Sequence, residues 1–418
     1  MIRMLEPQEG ETLCDPASGS GGFLIRFFEL VRQQILADAD RQYREYAEAL
    51  GQDKKLGEEE RAKALTRKYA DIQKTLDQKA EGSRLWQLAN RRIYGTDKND
   101  RMARTSKMNM IMHGDGHGGV HHWNGFLNVN GIFPGRFDLI LTNPPFGAKV
   151  EADEKIVDKE IALPDDVEKH YADIYGAPYT QARDALKAAV GKPIASLFSL
   201  PKSEGAKVKT EILFIERCLD LLRSGGRMGI VLPEGVFNNP SLAHVREFVE
   251  DRAHIRAVVS LPQETFFSSG ASVKASLLFL EKFDAAAQAD FDAKRSAAQA
   301  ETLKKYRPEM EAEWARLQTL IEQARAARDT PARKAAEKER KDYDKRMAER
   351  IALEARALLK SRFDYPVFLY EAEKVGLSAT GEADDNELYP NPRVPAGLKK
   401  TALELYRAFR RDPAPFFV

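Results

Sequence analysis

The stretch LCDPASGSGGFLI, from Leu13 to Ile25, joins two apolar runs through a turn that contains three glycines. Glycine allows positive φ angles and a close approach of the backbone to a ligand, and a helix that follows offers unpaired N–H groups. The stretch therefore predicts a strand, a ligand-holding turn and a helix. The turn lacks the patterns of a phosphate-binding loop and of a dinucleotide site, but it suits a nucleotide-like cofactor. A tight connection without a ligand is the alternative.

Five further segments have the composition of β-strands, and several are nearly continuous apolar runs that end in Asp, Asn or Pro. Such runs are typical of strands that a parallel sheet buries on both faces. Helical segments separate them, which favours a doubly wound α/β sheet with ligands at the carboxyl ends of its strands. The six predicted strands are ETLCD (11–15), RRIYGTD (91–97), FDLILTNPP (137–145), GGRMGIVLP (225–233), IRAVVSLP (255–262) and SVKASLLFLEK (272–282).

Composition divides the chain into three parts. Residues 1–282 are predicted to form the domain that contains the sheet. Two segments interrupt it, a charged helical hairpin at 26–80 and a loop-rich insertion at 150–207. The composition of residues 283–362 predicts a charged helical outgrowth. Residues 363–418 are predicted to return to the core and to end in a tail helix.

The outgrowth contains no glycine, and Pro308 and Pro331 are expected to divide it into three helices. An apolar stripe runs along one face at helical spacing. The stripe either packs on its own hairpin or docks another subunit, and the composition leaves both interpretations open. Its members are Trp314, Leu317, Leu320 and Ile321.

Lys and Arg number 65, and Asp and Glu number 64, so the net charge is close to zero. A nucleic acid would therefore be bound by a local basic patch or largely by a partner subunit. The two cysteines, Cys14 and Cys218, lie far apart, which argues against a disulfide framework or a zinc site and fits a cytoplasmic protein. The sequence contains no signal-peptide core and no apolar run of membrane-spanning length.

The second predicted strand ends in YGTDKND, which places Asp97 at its carboxyl end. An acidic side chain at this position accepts hydrogen bonds from ribose hydroxyls in Rossmann-like sites. Asp97 lies much further from Asp15 than the usual distance of roughly 20 residues, and the hairpin predicted at 26–80 accounts for the excess. The alternative is that Asp97 caps a helix that begins near Arg101.

The most specific stretch is FDLILTNPPFG, in which a buried strand ends at Asn143, Pro144, Pro145 and Phe146. The prolines fix φ and donate no hydrogen bonds, so the Asn143 amide oxygen and a backbone carbonyl can accept side by side. Phe146 adds a flat apolar face. This set suits a planar amide or an aromatic amine, because two acceptors bind its NH2 hydrogens while the ring stacks. A proline-terminated strand with a capping Asn is the alternative for an isolated motif.

Together, DPASGSGGF and NPPF resemble S-adenosylmethionine-dependent amino-methyltransferases of the adenine-specific DNA type. More narrowly, the chain resembles the modification (M) subunit of type I restriction-modification systems, over most of its length outside the helical insertions and Val150 to Lys207. This resemblance rests on six stretches in family order: DPASGSGGFLI, YGTDKNDRMARTSKMNMIMHGDGHGG, FDLILTNPPFG, KTEILFIERCLDLLRSGGRMGIVLPEGVFNN, LPQETFFSSGASVKASLLFLEK and YPVFLYEAEKVGLSATG.

The resemblance implies a Rossmann-like methyltransferase sheet with helical hairpin insertions and S-adenosylmethionine as the cofactor. It implies DNA and a specificity subunit as partners, with a restriction subunit as a further candidate. Membrane association is not implied. The activity would be site-specific methylation of DNA adenine in the cytoplasm, with no metal ion.

Cofactor-binding roles follow from the resemblance position by position. Asp97 would bind the ribose. Asn124, at the expected end of the third strand, would lie near the cofactor's adenine, although Asp is more usual there and Asp115 is the alternative. The spacing of the nearby histidines favours a loop over a metal site. They are His113, His117, His121 and His122. The turn that would hold the methionine part comprises Asp15, Ala17, Gly19, Ser20, Gly21 and Gly22.

The catalytic residues implied by the resemblance are Asn143, Pro144, Pro145 and Phe146. Asn143 and the Pro144 carbonyl would hold the target amino group, and Phe146 would stack on the base. A base inside a duplex cannot reach such a pocket, so the target adenine would be flipped out of the helix. The methyl group would then pass from the sulfonium sulfur to the exocyclic nitrogen.

In the family, a Thr-Pro-containing segment that covers the cofactor and an N-terminal helical domain precede the glycine-rich turn. Met1 lies in what resembles the helix directly before the first strand, so the chain is expected to lack its N-terminal domain, which leaves its activity open. One alternative is a truncated, catalytically silent subunit that makes only protein contacts. Another is a protein glutamine methyltransferase, although those enzymes carry Tyr after the prolines.

Overall fold

A computed structural model describes residues 1–53, 56–114, 119–200, 207–269, 273–378, 380, 382–390 and 400–417. The strands are β1 (Leu13–Asp15), β2 (Ile93–Asp97), β3 (Val120–His122), β4 (Phe137–Thr142), β5 (Lys149–Val150), β6 (Val208–Lys209), β7 (Leu222–Pro233), β8 (Ala253–Ser260), β9 (Ala275–Lys282), β10 (Phe368–Glu371), β11 (Val375–Leu377) and β12 (Ala383–Asn386). The helices are α1 (Ile2–Leu5), α2 (Gly22–Gln52), α3 (Glu58–Leu76), α4 (Arg84–Arg91), α5 (Asp100–Met112), α6 (Asp158–Ile161), α7 (Asp165–Tyr175), α8 (Ala177–Lys187), α9 (Thr210–Leu221), α10 (Gly235–Asn238), α11 (Ala243–Glu250), α12 (Ala285–Ala326), α13 (Thr330–Arg362) and α14 (Ala402–Arg411).

Eight strands form one sheet in the order β10-β8-β9-β7-β4-β1-β2-β3. Within this sheet β9 runs antiparallel to its neighbours β7 and β8, and every other neighbouring pair is parallel. All six predicted strands belong to it, so the predicted Rossmann-like α/β fold with helical hairpin insertions is confirmed. The edge strand β10 was not predicted as a strand.

The central strands of the sheet are buried on both faces, and β4 is an example with an almost entirely apolar sequence. Leu139, Ile140 and Leu141 are all 0% exposed. Successive side chains of a strand point to opposite faces. Leu139 and Leu141 accordingly belong to one apolar core, and Ile140 belongs to the other.

The first crossover contains a long helix and a hairpin. The helix α2 begins at Gly22, directly after the turn, and its second half packs against α3 to form the hairpin predicted within 26–80. Gly21 caps α2 with a φ of 86°. A Cβ at this position would lie 2.5 Å from the Ser106 Oγ of α5. Glycine therefore suits this position both by conformation and by the close approach of α5. The first half of α2 is buried through Leu24, Phe27, Phe28, Val31 and Ile35.

The insertion after β4 is bracketed by β5 and β6, which pair antiparallel. It contains α6, α7 and α8, which the prediction of a loop-rich segment did not specify. Tyr171, Tyr175 and Tyr179 recur every four residues and form one aromatic cluster. The guanidinium carbon of Arg136 lies 3.8 Å from the centroid of the Tyr94 ring and 4.2 Å from that of the Tyr175 ring. Tyr171 and Tyr175 lie one turn apart in α7, whereas Tyr179 lies in α8, so the four-residue spacing is a helical signal for the first pair alone.

The chain divides into two compact units, Met1–Lys282 with Val367–Val418 and Phe283–Pro366. The second unit is a hairpin of α12 and α13. The prediction of three helices was wrong, because Pro308 lies inside α12. Proline removes a backbone hydrogen bond, but contacts with α13 hold α12 on both sides of it. Tyr306 donates to Glu354, and Trp314 Nε1 donates to Asp344 Oδ1 over 2.6 Å.

The apolar stripe of α12 is largely buried within this hairpin. Leu317 and Ile321 are buried, whereas Leu320 is exposed. This burial supports the interpretation that the stripe packs on its own hairpin. In the described parts of the chain, no helix has the length and apolar character needed to cross a membrane.

Candidate active site

The strands β1, β2, β3 and β4 are parallel, so their carboxyl ends lie at the same edge of the sheet. A cavity of about 250 Å³ opens at this edge. Four predicted site residues line it together: Ala17, Asp97, Asn124 and Pro145. A larger cavity, of about 340 Å³, lies among α1, α2 and α14 and contains none of the predicted site residues.

The glycine-rich turn is fixed by hydrogen bonds to its own strand and to β2. The Ala17 N–H donates to Asp15 Oδ1 over 3.0 Å, and the Gly19 N–H donates to Asp97 Oδ2 over 2.9 Å. Gly19 has a φ of 52°, and a Cβ there would meet no atom within 4 Å. Ser20 and Gly22 are exposed. The turn is therefore rigid at its base and open on its outer side.

Asp97 connects the turn to the cavity. Its Oδ1 accepts the Asn99 N–H over 2.8 Å, so each carboxylate oxygen accepts one backbone donor. The helix α5 is capped by Asn99, whose side chain accepts the Met102 N–H over 3.2 Å. The alternative that Asp97 caps this helix was therefore wrong. Each oxygen keeps lone-pair capacity towards the cavity.

Asn124 is buried in the loop that follows β3. Its amide oxygen accepts the Phe126 N–H over 3.1 Å. Its NH2 group makes no hydrogen bond to any residue that the structure describes. The alternative position, Asp115, lies outside the described residues.

Arg217 of α9 holds this loop in place, which the sequence analysis missed. Its buried guanidinium donates to the carbonyls of Gly125 and Leu127 over 2.9 and 2.8 Å, and to the Asn128 side-chain oxygen over 2.7 Å. Arg183 donates to the Asn128 carbonyl over 3.0 Å. Burial lowers the pKa of Arg217 to about 10. The only sequence signal was an arginine within the largely apolar run ILFIERCLDLL.

The NPPF segment leaves β4 at the same edge. Asn143 and Pro145 are exposed, Pro144 is buried and Phe146 is half-buried. Neither the Asn143 amide nor the Pro144 carbonyl has a hydrogen-bond partner among the described residues. Phe146 packs edge to face against Phe266, with ring centroids 6.1 Å apart. Two acceptors are thus available beside an aromatic ring.

Three residues that the sequence analysis did not select also line the cavity. The Thr210 hydroxyl donates to the Pro145 carbonyl over 2.8 Å and so fixes the backbone after the two prolines. Lys98 Nζ lies 2.7 Å from Glu154 Oε1, and this ion pair joins β2 to the insertion. Lys98 and Thr210 lie within two of the stretches that carry the resemblance, but nothing in these stretches indicated their roles, because their contacts join distant parts of the chain.

The histidines near β3 have different environments. His113 Nδ1 lies 3.0 Å from a Glu29 oxygen, and His122 Nε2 lies 3.0 Å from a backbone carbonyl. Burial lowers the pKa of His121 to about 4. His117 lies outside the described residues. Within the described ranges, no cluster of three or more His, Cys, Asp or Glu side chains is arranged to hold a metal ion.

Asp15 lies beneath the turn, does not line the cavity and is 1% exposed. Burial is the main cause that raises its pKa, to about 7. The Thr142 hydroxyl and the Ala17 N–H favour the charged form, and the charge of Asp97 opposes it. The carboxyl group therefore titrates near neutral pH.

We expect Asp15→Asn to stabilise the protein at alkaline pH and to change little near pH 4. The unfolded carboxyl has a pKa of about 3.9, whereas the folded pKa is about 7. The folded state retains a proton that the unfolded state loses, so the free energy of unfolding falls as pH rises from about 4 to 7. At pH 8 the free energy of unfolding of the variant, measured with urea, should exceed that of the wild type by up to about 4 kcal/mol. A difference in unfolding free energy between variant and wild type that does not change with pH would contradict this prediction.

Two family models match the chain. One, described as N-6 DNA Methylase, matches residues 198–354, and the other, described as RMKL-like, methyltransferase domain, matches residues 1–160. Both describe methyltransferases, and each covers less than half of the chain.

Curated relatives match over a longer range. The chain is 22% identical over 284 residues to the type I restriction enzyme EcoEI methylase subunit of Escherichia coli, and 23% identical over 289 residues to the EcoKI methylase subunit of E. coli strain K12. Each alignment covers 68% of this chain, but 40% and 38% of the respective relatives. The chain thus spans about two fifths of the length of the curated relatives it matches.

Among solved structures, the crystal structure of the EcoKI M protein matches over 69% of this chain and 43% of that chain, with 20% identity and a TM-score of 0.41. The predicted resemblance is confirmed by the sequence matches: over about two thirds of its length, this chain is similar to the methylase subunits of type I restriction enzymes.

Proposed function

We propose that this chain methylates DNA adenine. It transfers a methyl group from S-adenosylmethionine to the exocyclic amino group of a flipped base, as the M subunit of a type I restriction-modification complex. The observation that carries this proposal is a pair of acceptors that have no hydrogen-bond partner among the described residues, the Asn143 amide oxygen and the Pro144 carbonyl. They lie at the same sheet edge as the cavity lined by Asp97 and Asn124.

The residues around the cavity fit S-adenosylmethionine. The two oxygens of Asp97 retain lone pairs for ribose hydroxyls, and the unbonded NH2 of Asn124 suits a ring nitrogen of adenine. The outer side of Gly19 is open, which lets backbone and ligand approach closely. When bound, the cofactor supplies an electrophilic methyl group on a positively charged sulfur.

The target amino group would be activated by position and hydrogen bonding. Asn143 and the Pro144 carbonyl accept its two N–H bonds, which draws the nitrogen lone pair out of conjugation with the purine ring. Phe146 stacks on the base and offsets part of the unstacking cost, which is a few kcal/mol. The N–C bond would form as the S–CH3 bond of the sulfonium breaks to leave a neutral thioether, and the amino proton would pass to solvent at the exposed Asn143, so no side chain with a tuned pKa is needed to remove it before attack.

The curated relatives support the partner assignment, because they are described as methylase subunits of type I restriction enzymes. A specificity subunit would select the DNA sequence, and a restriction subunit is a further candidate partner. The near-zero net charge of the chain fits this division of labour, since the partner would supply part of the DNA contact.

The test is methyl transfer from radiolabelled S-adenosylmethionine to DNA by the chain with its specificity subunit. Enzymatic digestion to nucleosides should recover the label as N6-methyl-2′-deoxyadenosine. A different outcome would favour a glutamine methyltransferase: the chain crosslinks to the cofactor, DNA stays unlabelled, and the label appears on a protein glutamine. The absence of both crosslinking and transfer would identify a catalytically silent subunit and overturn the proposal.

A further inference from the structure

The helix α13 carries an excess of positive charge that the rest of the chain lacks. Its 33 residues include 11 Lys and Arg against 6 Asp and Glu, whereas the whole chain has 65 against 64. Four of these lysines recur at spacings of four, three and four residues, which places them on one face of the helix. This lysine row consists of Lys334, Lys338, Lys341 and Lys345.

The lysine row faces away from the partner helix α12. Ala336 and Met347 are buried within the hairpin, and helical geometry of about 100° per residue puts them on the side opposite the row. All four lysines of the row are exposed. The other outward positions between Lys334 and Lys345 carry Ala335, Glu337 and Asp342, so this part of the face has no large apolar side chain.

The row also differs from several other basic side chains of the same hairpin in its lack of ion pairs with described residues. None of its four lysines forms an ion pair with a described residue. Elsewhere in the hairpin, Lys305 pairs with Glu354 and Arg362 with Glu301. Like charges one helical turn apart destabilise a helix by about 0.2–0.5 kcal/mol per pair. The four ammonium groups are therefore available to an external anion, and Glu337 and Asp342 on the same face offset part of their charge.

The length and chemistry of the row fit a nucleic-acid backbone. Eleven residues of helix rise about 16 Å, and duplex DNA carries roughly five phosphates on each strand over this length of its axis, at one per about 3.4 Å. A protein partner would call for apolar or aromatic side chains in the middle of the contact, and this face has none. We propose that the lysine row binds the phosphate backbone of duplex DNA, without reading its sequence. The choice of DNA rests on the proposed function.

The test is the salt dependence of DNA binding. The variant K334Q/K338Q/K341Q/K345Q is made in the full chain, and its affinity for a fluorescent duplex lacking a recognition site is measured from 50 to 300 mM salt. The slope of log K against log salt changes by about 0.9 per phosphate contact, so it should become shallower by about 3.6, and affinity should fall at least about tenfold. Glutamine is a good helix former, so circular dichroism should show unchanged helicity.

A matched variant controls for total charge. K63Q/K74Q/K187Q/K305Q removes the same charge from exposed lysines that each have a carboxylate partner. Its slope should stay close to that of the wild type. Asp342 lies four residues after Lys338 and three before Lys345, so Asp342→Asn should tighten binding, an effect that structural damage would not produce.

Equal salt slopes for the wild type and the row variant overturn the proposal. A reduction of the slope in the matched variant as large as that in the row variant overturns it as well. An unchanged DNA slope with weakened binding of the specificity subunit would assign the row to a protein partner instead. Methyl transfer at saturating DNA reports on the proposed function separately. If the wild type transfers no methyl group but the row variant loses the slope, the proposed function fails and the DNA-binding row stands.

Discussion

Asn143→Ala should reduce the rate of methyl transfer by about 10²–10³-fold, while the affinity for S-adenosylmethionine stays within twofold of the wild type. Removal of one preorganised hydrogen-bonding group at a reacting centre has an effect of this size in other enzymes. The Asn143 side chain is exposed and has no partner among the described residues. Its loss should therefore change the free energy of unfolding by no more than about 0.5 kcal/mol.

Single-turnover transfer to a duplex with one recognition site measures this effect, and calorimetric titration with S-adenosylhomocysteine measures cofactor affinity. Asn143→Asp is the matched variant, because it keeps an acceptor oxygen at the same distance from the backbone and should retain more activity than the alanine variant. Full activity of Asn143→Ala would remove the side chain from the mechanism. An equal loss in both variants would show that the acceptor oxygen is not what matters.

Arg217→Met should destabilise the protein by about 3 kcal/mol and weaken cofactor binding. The substitution leaves the carbonyls of Gly125 and Leu127 and the amide of Asn128 without their donor. Each buried acceptor that loses its partner costs about 1–3 kcal/mol, and relaxation of the loop recovers part of the sum. Because this loop carries Asn124 at its start, its loosening should raise the dissociation constant for S-adenosylhomocysteine.

Urea unfolding and calorimetric titration measure the two effects. Arg223→Met is the control, because Arg223 is half-exposed and pairs with Asp138 near the surface, where ion pairs contribute about 0–1 kcal/mol. Arg217→Lys should give an intermediate result, since an ammonium group cannot reproduce the planar fork that spans three acceptors. A cost below about 1 kcal/mol for Arg217→Met, with unchanged cofactor affinity, would show that the loop holds its shape without this residue.

Local sequence was sufficient to predict the main strands of the sheet and the turn after β1. Continuous apolar runs such as FDLILT indicate burial on both faces, and in a parallel sheet the residues that follow each strand arrive at one edge. The cavity lining of Ala17, Asp97, Asn124 and Pro145 agrees with that expectation of position. The roles assigned to these residues stay predictions, because position alone does not establish what binds there.

Other features depended on the tertiary structure. Pro308 was expected to end a helix, but packing against α13 outweighs the local preference. The donor to Gly125 is Arg217, 92 residues away, and the donor to the Pro145 carbonyl is Thr210, 65 residues away. The near-neutral pKa of Asp15 likewise arises from burial by the surrounding fold.

The sequence by itself thus determined six strands of the main sheet and which residues follow each of them, because these properties depend on near neighbours. The tertiary structure decided how the loops at the site are held and which groups titrate. These properties depend on donors and on the exclusion of water contributed by segments that are distant in the chain.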